Sequence, residues 1–160
     1  MWRNLGVGGR RIRDMRKTAG VRVDPLFDPR LGENVVVLWG GSNDLALMGH
    51  QPQVVYQDIR SYCLGRRRRG FEVLVLTVLP RSDRFARGFE VRREALNRLL
   101  RANWHQFANG LVDVAADPRI GPAGAPRDHR YYVPGFVHLD NQGLAVVAGD
   151  VLHGLLRLEG

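Results

Sequence analysis

With a single cysteine, Cys63, in 160 residues, the chain has no internal disulfide. No His/Cys cluster at metal-ligand spacing takes its place, so neither a metal nor another cofactor is implied. Cys63 falls beside Ile59 and Tyr62 on the apolar side of a helical pattern, where a free thiol acts as a small, inert hydrophobe. Lysine is equally scarce. Lys17 is the only one among 24 basic residues, so arginine carries the net charge of +8. Long apolar runs are missing too: the stretch from Phe71 to Pro80 falls far short of the roughly 20 residues a membrane helix needs. No basic segment followed by an apolar stretch opens the chain at Met1-Trp2-Arg3, so it carries no secretory signal at this start and reads, as written, as cytoplasmic.

What is present suits one folded domain over residues 1–160, with hydrophobic residues at 44% and no repeat or low-complexity tract. The densest basic run, Arg66 to Arg69, is flanked by Gly65 and Gly70 between a helical pattern and a strand pattern. Cations are favoured at a helix C-terminus, so a solvated turn is the reading. No interleaved aromatics or nucleic-acid motif accompany the run, so a nucleic-acid partner is not expected.

Three β-rich apolar runs stand out at Asn34–Trp39, Phe71–Val78 and Leu111–Ala115. Their nearly unbroken apolar character suits strands covered on both faces, as in a parallel sheet. Helical spacing appears between and around them, over Arg10–Thr18, Val54–Cys63, Val91–Trp104 and Leu144–Leu155. Strand alternating with helix predicts an α/β layer fold whose site lies at the carboxyl ends of the strands. The loops there are Gly40-Gly41-Ser42-Asn43-Asp44, Pro80-Arg81-Ser82-Asp83, and a long Pro/Gly-rich segment from Asp117 to Gly135 leading to His138.

Each loop motif has two readings. Paired glycines let the backbone turn sharply off a strand, and Asn43 can then aim its amide at a developing oxyanion. Equally, Asn43 and Asp44 can cap the next turn or helix. His138 is a titratable group suited to general-base work, while His50, His105, His129 and His153 read as structural. Asn4-Leu5-Gly6-Val7-Gly8-Gly9 is a glycine-rich turn before a helix that lacks the Lys-Ser/Thr of a phosphate-binding loop.

Taken in order, these strings resemble the later blocks of SGNH (GDSL-type) hydrolases over nearly the whole chain. Asn4 to Gly9 is similar to the second block, whose glycine gives a backbone oxyanion donor, which implies Gly9. Gly41-Ser42-Asn43-Asp44 is similar to the Gly-x-Asn-Asp third block, which implies Asn43 as side-chain donor, with Gly41, Ser42 and Asp44 lining the substrate site. Val137-His138-Leu139 is similar to the fifth block, which implies His138 as catalytic base. The stretches around Phe71–Thr77, Leu96–Trp104 and Val112–Pro118 also resemble the family's connecting segments. The resemblance implies a flavodoxin-like three-layer α/β/α fold, a small-molecule ester as substrate, and no cofactor.

Two departures stand out. The family's nucleophilic serine sits in a Gly-Asp-Ser turn after a first strand, upstream of the second block, and only three residues precede Asn4. Ser42, Ser61 and Ser82 are the chain's only serines, and none is in such a turn. The family's acid, three residues before the histidine, falls on Gly135; Asp128 and Asp140 are the substitutes in view. The sequence therefore reads as an SGNH fold with its first strand missing and its second nearly so. It would be a truncated or inactive esterase, or else a non-catalytic binding module that keeps the pocket. A row of unpaired backbone groups beside Asn34–Trp39 is expected.

Overall fold

β-branched residues favour the pleated conformation, and the three valine-rich segments form the sheet. The computed structural model describes residues 2–82, 87–135 and 137–158. Within it, β1 (Val35–Leu38), β2 (Glu72–Leu76) and β3 (Gly110–Val112) lie side by side in that order, all parallel. Residues 2–10 form no strand. The expected α/β fold is present, and its described sheet has three strands.

Side chains alternate between the two faces of the sheet. Leu38, Val73 and Val75 enter one core, built with α1 (Ile12–Arg22), α2 (Ser42–Ala46), α3 (Pro52–Arg67) and α4 (Phe89–Asn103). Leu74, Leu76 and Val112 enter the other, with Val146 and Val147 of α5 (Asn141–Leu156) and with Ile120 and Tyr132 of the long loop. Cys63 is buried in the first core, and burial pushes its thiol up to about 12, so the inert reading stands.

Three expectations shift. The third strand ends at Val112 rather than Ala115, because Asp113 turns aside to pair with Arg101 and to accept from Thr77 Oγ1 at 3.0 Å, and Val114–Ala116 then winds into a 3-10 turn. The first helix starts at Ile12 and runs on to Arg22. Arg66 is not part of a solvated turn. It is buried on the last turn of α3, paired with Asp24 and set over the Tyr62 ring at 5.4 Å.

The exit of β2 is clamped from α4. Asn97 Oδ1 accepts from Val78 N at 2.8 Å and its Nδ2 donates to Val78 O at 2.9 Å. Arg93 Nη1, also buried, donates to the same carbonyl at 3.1 Å. A single amide thus satisfies both backbone groups of a residue beyond the ladder. Asn97→Ala strands the Val78 N–H in the interior, at a cost of about 1–3 kcal/mol beyond the lost packing. Urea denaturation should show that loss at unchanged slope.

Candidate active site

Gly41 ends β1 and starts α2, with φ at +105°. A Cβ there would also lie 3.3 Å from Leu96 and 3.4 Å from Val55 and Val78. Glycine is needed both for the backbone angle and for the close packing of α3 and α4. Its sharp turn starts α2 at Ser42, so Asn43 and Asp44 belong to the helix rather than precede it. The capping reading therefore fails in its simple form, because neither caps the helix that follows.

Both instead reach back across the sheet end to the glycine-rich turn. Asn43 Nδ2 donates to Arg10 O at 3.0 Å. Asp44 Oδ2 accepts from Ile12 N at 3.2 Å. Arg11, at the N-cap of α1, has no side-chain acceptor, so Asp44 serves as the cap from 32 residues away in the chain. Its charge also suits the positive end of the helix. The turn itself closes with Arg10 N donating to Val7 O at 3.3 Å. Gly9 has φ at +75°, as the third position of a type II turn requires.

Asp44 is buried, and Oδ1 has no hydrogen-bond partner among the described residues. Burial raises its pKa, against the opposing pull of the Ile12 N–H. Ser42 is half-buried on α2.

His138 stands on the long third loop. Tyr132 and Leu139 form an antiparallel bridge, and Val133 N donates to His138 O at 3.0 Å. The C-terminal part of α5 packs over the start of β3: a Cβ on Gly154 would meet Val112 and Leu74, and one on Gly110 would meet Leu158. The helix therefore runs antiparallel to the strand. Its N-terminus, with His138 just ahead of it, lies toward the carboxyl end of the sheet, the end that also carries Gly41 to Asp44. The imidazole is exposed, and no described residue hydrogen-bonds to it.

Neither substitute acid is turned to the ring. Asp128 is paired with Arg130, which holds its carboxyl down to about 2. Asp140 caps α5, accepting from Gly143 N at 2.8 Å. Gly135 has φ at +111°, a backbone angle that an aspartate would hold only under strain. Asp83 and Phe136, in the second and third loops, lie outside the described residues.

Sequence reasoning missed Arg10, whose carbonyl joins the turn to Asn43; arginine carries no signal for a role of its backbone.

The arrangement is a three-layer α/β/α domain with a glycine turn, an asparagine amide and a histidine at the carboxyl end of a parallel sheet. The chain belongs to the GDSL-like Lipase/Acylhydrolase family, whose model matches residues 1–146. Solved structures share its fold. A carbohydrate esterase family 3 protein from Talaromyces cellulolyticus superposes with a TM-score of 0.70 at 17% identity, over 94% of this chain and 68% of that one. A member of the lipolytic protein G-D-S-L family from Veillonella parvula DSM 2008 gives 0.64 at 19% identity, over 91% and 73%. No curated protein matches the chain. Among the described residues there is no helix long and apolar enough to cross a membrane, and no cluster of three or more metal-ligating side chains.

Two outcomes test the tie between the loops. Folding favours the protonated form of Asp44, so the cost of its ionisation is absent well below about pH 4 and grows as pH rises through the usual carboxylate range toward the folded value. Asp44→Asn keeps an acceptor for Ile12 N and removes the titration. Its stability relative to the wild type should rise between about pH 4 and pH 7 in urea melts, whereas a constant difference would refute the assignment. Gly41→Ala should lower stability by about 1–3 kcal/mol at any pH, read as a fall in Tm.

Proposed function

We propose that this chain supplies the base and the oxyanion donors of a carboxylic ester hydrolase. His138 is the general base, and the Asn43 amide and the backbone of the Gly9 turn stabilise the developing oxyanion. The observation that supports this best is the 3.0 Å bond from Asn43 to Arg10 O. It spends one N–H of the amide on holding the glycine turn and leaves the other to face a substrate. The side chain and the turn are then fixed to each other before any ester arrives, which is what preorganised stabilisation needs.

In this reading a serine hydroxyl attacks the acyl carbon as His138 takes its proton. The carbonyl oxygen gathers charge between the Asn43 amide and the turn. The C–O bond to the alcohol breaks as His138 returns the proton, and water repeats the cycle on the acyl-serine. With Asp128 and Asp140 engaged elsewhere, His138 works without a carboxylate, as half of a Ser–His dyad. Gly41, Ser42 and Asp44 belong to the walls of the site. The serine is not one of the three in this chain: Ser42 starts α2, Ser61 lies within α3, and Ser82 has a buried hydroxyl. In this reading the nucleophile belongs to a Gly-Asp-Ser turn of the kind the family carries, a string that these 160 residues do not contain. The likeness to a protein named a carbohydrate esterase makes acylated sugars the first substrates to assay. The same lack of a placed serine favours a second reading, a binding module that holds an ester and does not turn it over.

Hydrolysis of p-nitrophenyl acetate separates the two. The chain as given should not exceed the buffer rate. A form extended upstream, in frame, should hydrolyse the ester, with kcat falling by several orders of magnitude in His138→Ala and about 10²–10³-fold in Asn43→Ala. Hydrolysis by the 160-residue chain that His138→Ala leaves unchanged would overturn the site. Ligand binding without turnover in the extended form would favour the binding module.

A further inference from the structure

The long loop that follows β3, the strand farthest from β1, carries a cavity of its own. It measures about 450 Å³, a size that suits a small ligand, and Pro118, Arg119, Pro122, Asp128, Arg130 and Tyr131 are among its walls. Those walls are held in place. Tyr132 is buried and donates to Ile120 O at 2.7 Å, which fixes the segment at 131–133 to the stretch at 118–122. Gly121 N donates to Asp117 O at 2.8 Å, and a Cβ on Gly121 would lie 2.1 Å from Ala115 O. The cavity also neighbours His138. The antiparallel bridge of Tyr132 with Leu139 is flanked by the bonds from Val133 N to His138 O and from Asp140 N to Tyr131 O. Alternation therefore puts Tyr131 and His138 on one face of this pair of segments and the buried Tyr132 on the other. Diagonal neighbours of this kind stand about 7–8 Å apart.

Two arginines are fixed at this cavity by their neighbours in the chain. Arg119 uses Nε and Nη2 on Asp117, at 3.0 and 2.7 Å, and Arg130 uses the same atoms on Asp128, at 2.9 and 2.6 Å. Each aspartate also accepts from the backbone N–H of its arginine. Nη1 of each guanidinium has no bond among the described residues, so two oriented donors remain. Asp128 keeps 31% of its side chain exposed and offers an acceptor beside them. Arg130 also lies over the Tyr131 ring, at 5.8 Å. The two ion pairs cancel in charge. An anion drawn to Nη1 meets the carboxylate behind it, and a cation meets the guanidinium. An apolar group would strip water from both pairs and return no hydrogen bond. A neutral polyol both donates and accepts, and its C–H face can lie against the proline and tyrosine rings. We propose that this cavity binds a neutral polyhydroxylated ring, of the pyranose kind, as the part of the ligand next to the ester. Its adjoining an ester rests on the reading of His138 as the base. Its taking a polyol rests on the cavity alone.

The test titrates the 160-residue protein with methyl glucoside and follows the nitrogen–proton NMR signals of Arg119, Arg130 and Tyr131, the arginine Nε–H groups included. These signals should move saturably, with half-saturation at roughly millimolar sugar. Glucuronate carries an anion, glucosamine a cation, and cyclohexanol a single hydroxyl. Each should bind at least roughly threefold more weakly than the neutral sugar. Arg130→Ala and Tyr131→Ala should each lower the affinity at least roughly fivefold while the far-UV circular dichroism stays native. Arg130→Lys keeps the charge and loses the planar fork, so it should not restore binding. None of these probes is an ester, so the titration reads the cavity and not the chemistry at His138. Hydrolysis of p-nitrophenyl acetate, which has no sugar, reads that chemistry alone. The inference is overturned if methyl glucoside moves no signal in the natively folded protein, or moves only signals outside this loop. Equal affinity for the charged sugars or for cyclohexanol overturns it too. So does undiminished binding in both alanine variants.

Discussion

The carboxylate of Asp44 joins two loops that the chain keeps far apart, and the candidate site depends on that joint. It is buried at the carboxyl end of β1 and accepts from the first turn of α1. Beside it, Asn43 holds Arg10 O. Residues 2–10 have no strand to fix them. These two side chains tie the Gly9 turn to the end of β1, while Arg22 and Thr18 of α1 bond Leu5 O and the Arg10 side chain. A buried carboxylate is expensive to ionise, and the helix N-terminus that it caps offsets part of that cost.

A second constraint comes from the centre of the sheet. β2 has a strand on either side, and its exit is held by side chains of α4 and by the turn after β3. Asn97 and Arg93 hold Val78, while Thr77 accepts from Ala115 N at 2.9 Å and donates to Asp113. Asp113 in turn holds Arg101 of α4. The network links the ends of β2 and β3 to one helix, so the long loop leaves the sheet from a fixed point. β1 has no such symmetry. It is held by β2 on one side and meets a groove on the other, and its carboxyl end is steadied by Gly41 and α2 rather than by a further strand.

Much of this was legible in the sequence because it rests on periodicity. Near-continuous valine marked the three parallel strands, and helical spacing marked α3, α4 and α5 to within a few residues. What stayed hidden depended on long-range partners. The cap that Asp44 gives to α1 spans 32 residues, and the local rule pointed to the following helix instead. Arg66 read as solvated because nothing nearby in the sequence announces Asp24 as its partner. The third strand read too long because Val114 and Ala115 are apolar, while the turn of Asp113 toward Arg101 and Thr77 overrides that propensity. The order of the glycine turn, the Gly-Ser-Asn-Asp string and the Val-His-Leu string was visible, and the family match over residues 1–146 agrees with it.

The parts gathered at the sheet end differ in how firmly they are held, and the difference follows from their chemistry. Oxyanion donors gain from rigidity, because a donor that must reorganise spends the energy it would give to the transition state. Asn43 is on a helix wedged against the core, bonded to a turn that is itself capped from the same helix. A general base has to accept a proton, pass it on and admit solvent for the second half of a hydrolysis. His138 is exposed on a loop, held through its backbone carbonyl rather than its ring. The aspartates nearest to it in sequence are committed to Arg130 and to the cap of α5. In the proposed hydrolysis, glycine at position 135 in place of the family's acid would therefore bear on His138 and not on Asn43. The bond from Asn43 to Arg10 O involves neither Gly135 nor His138.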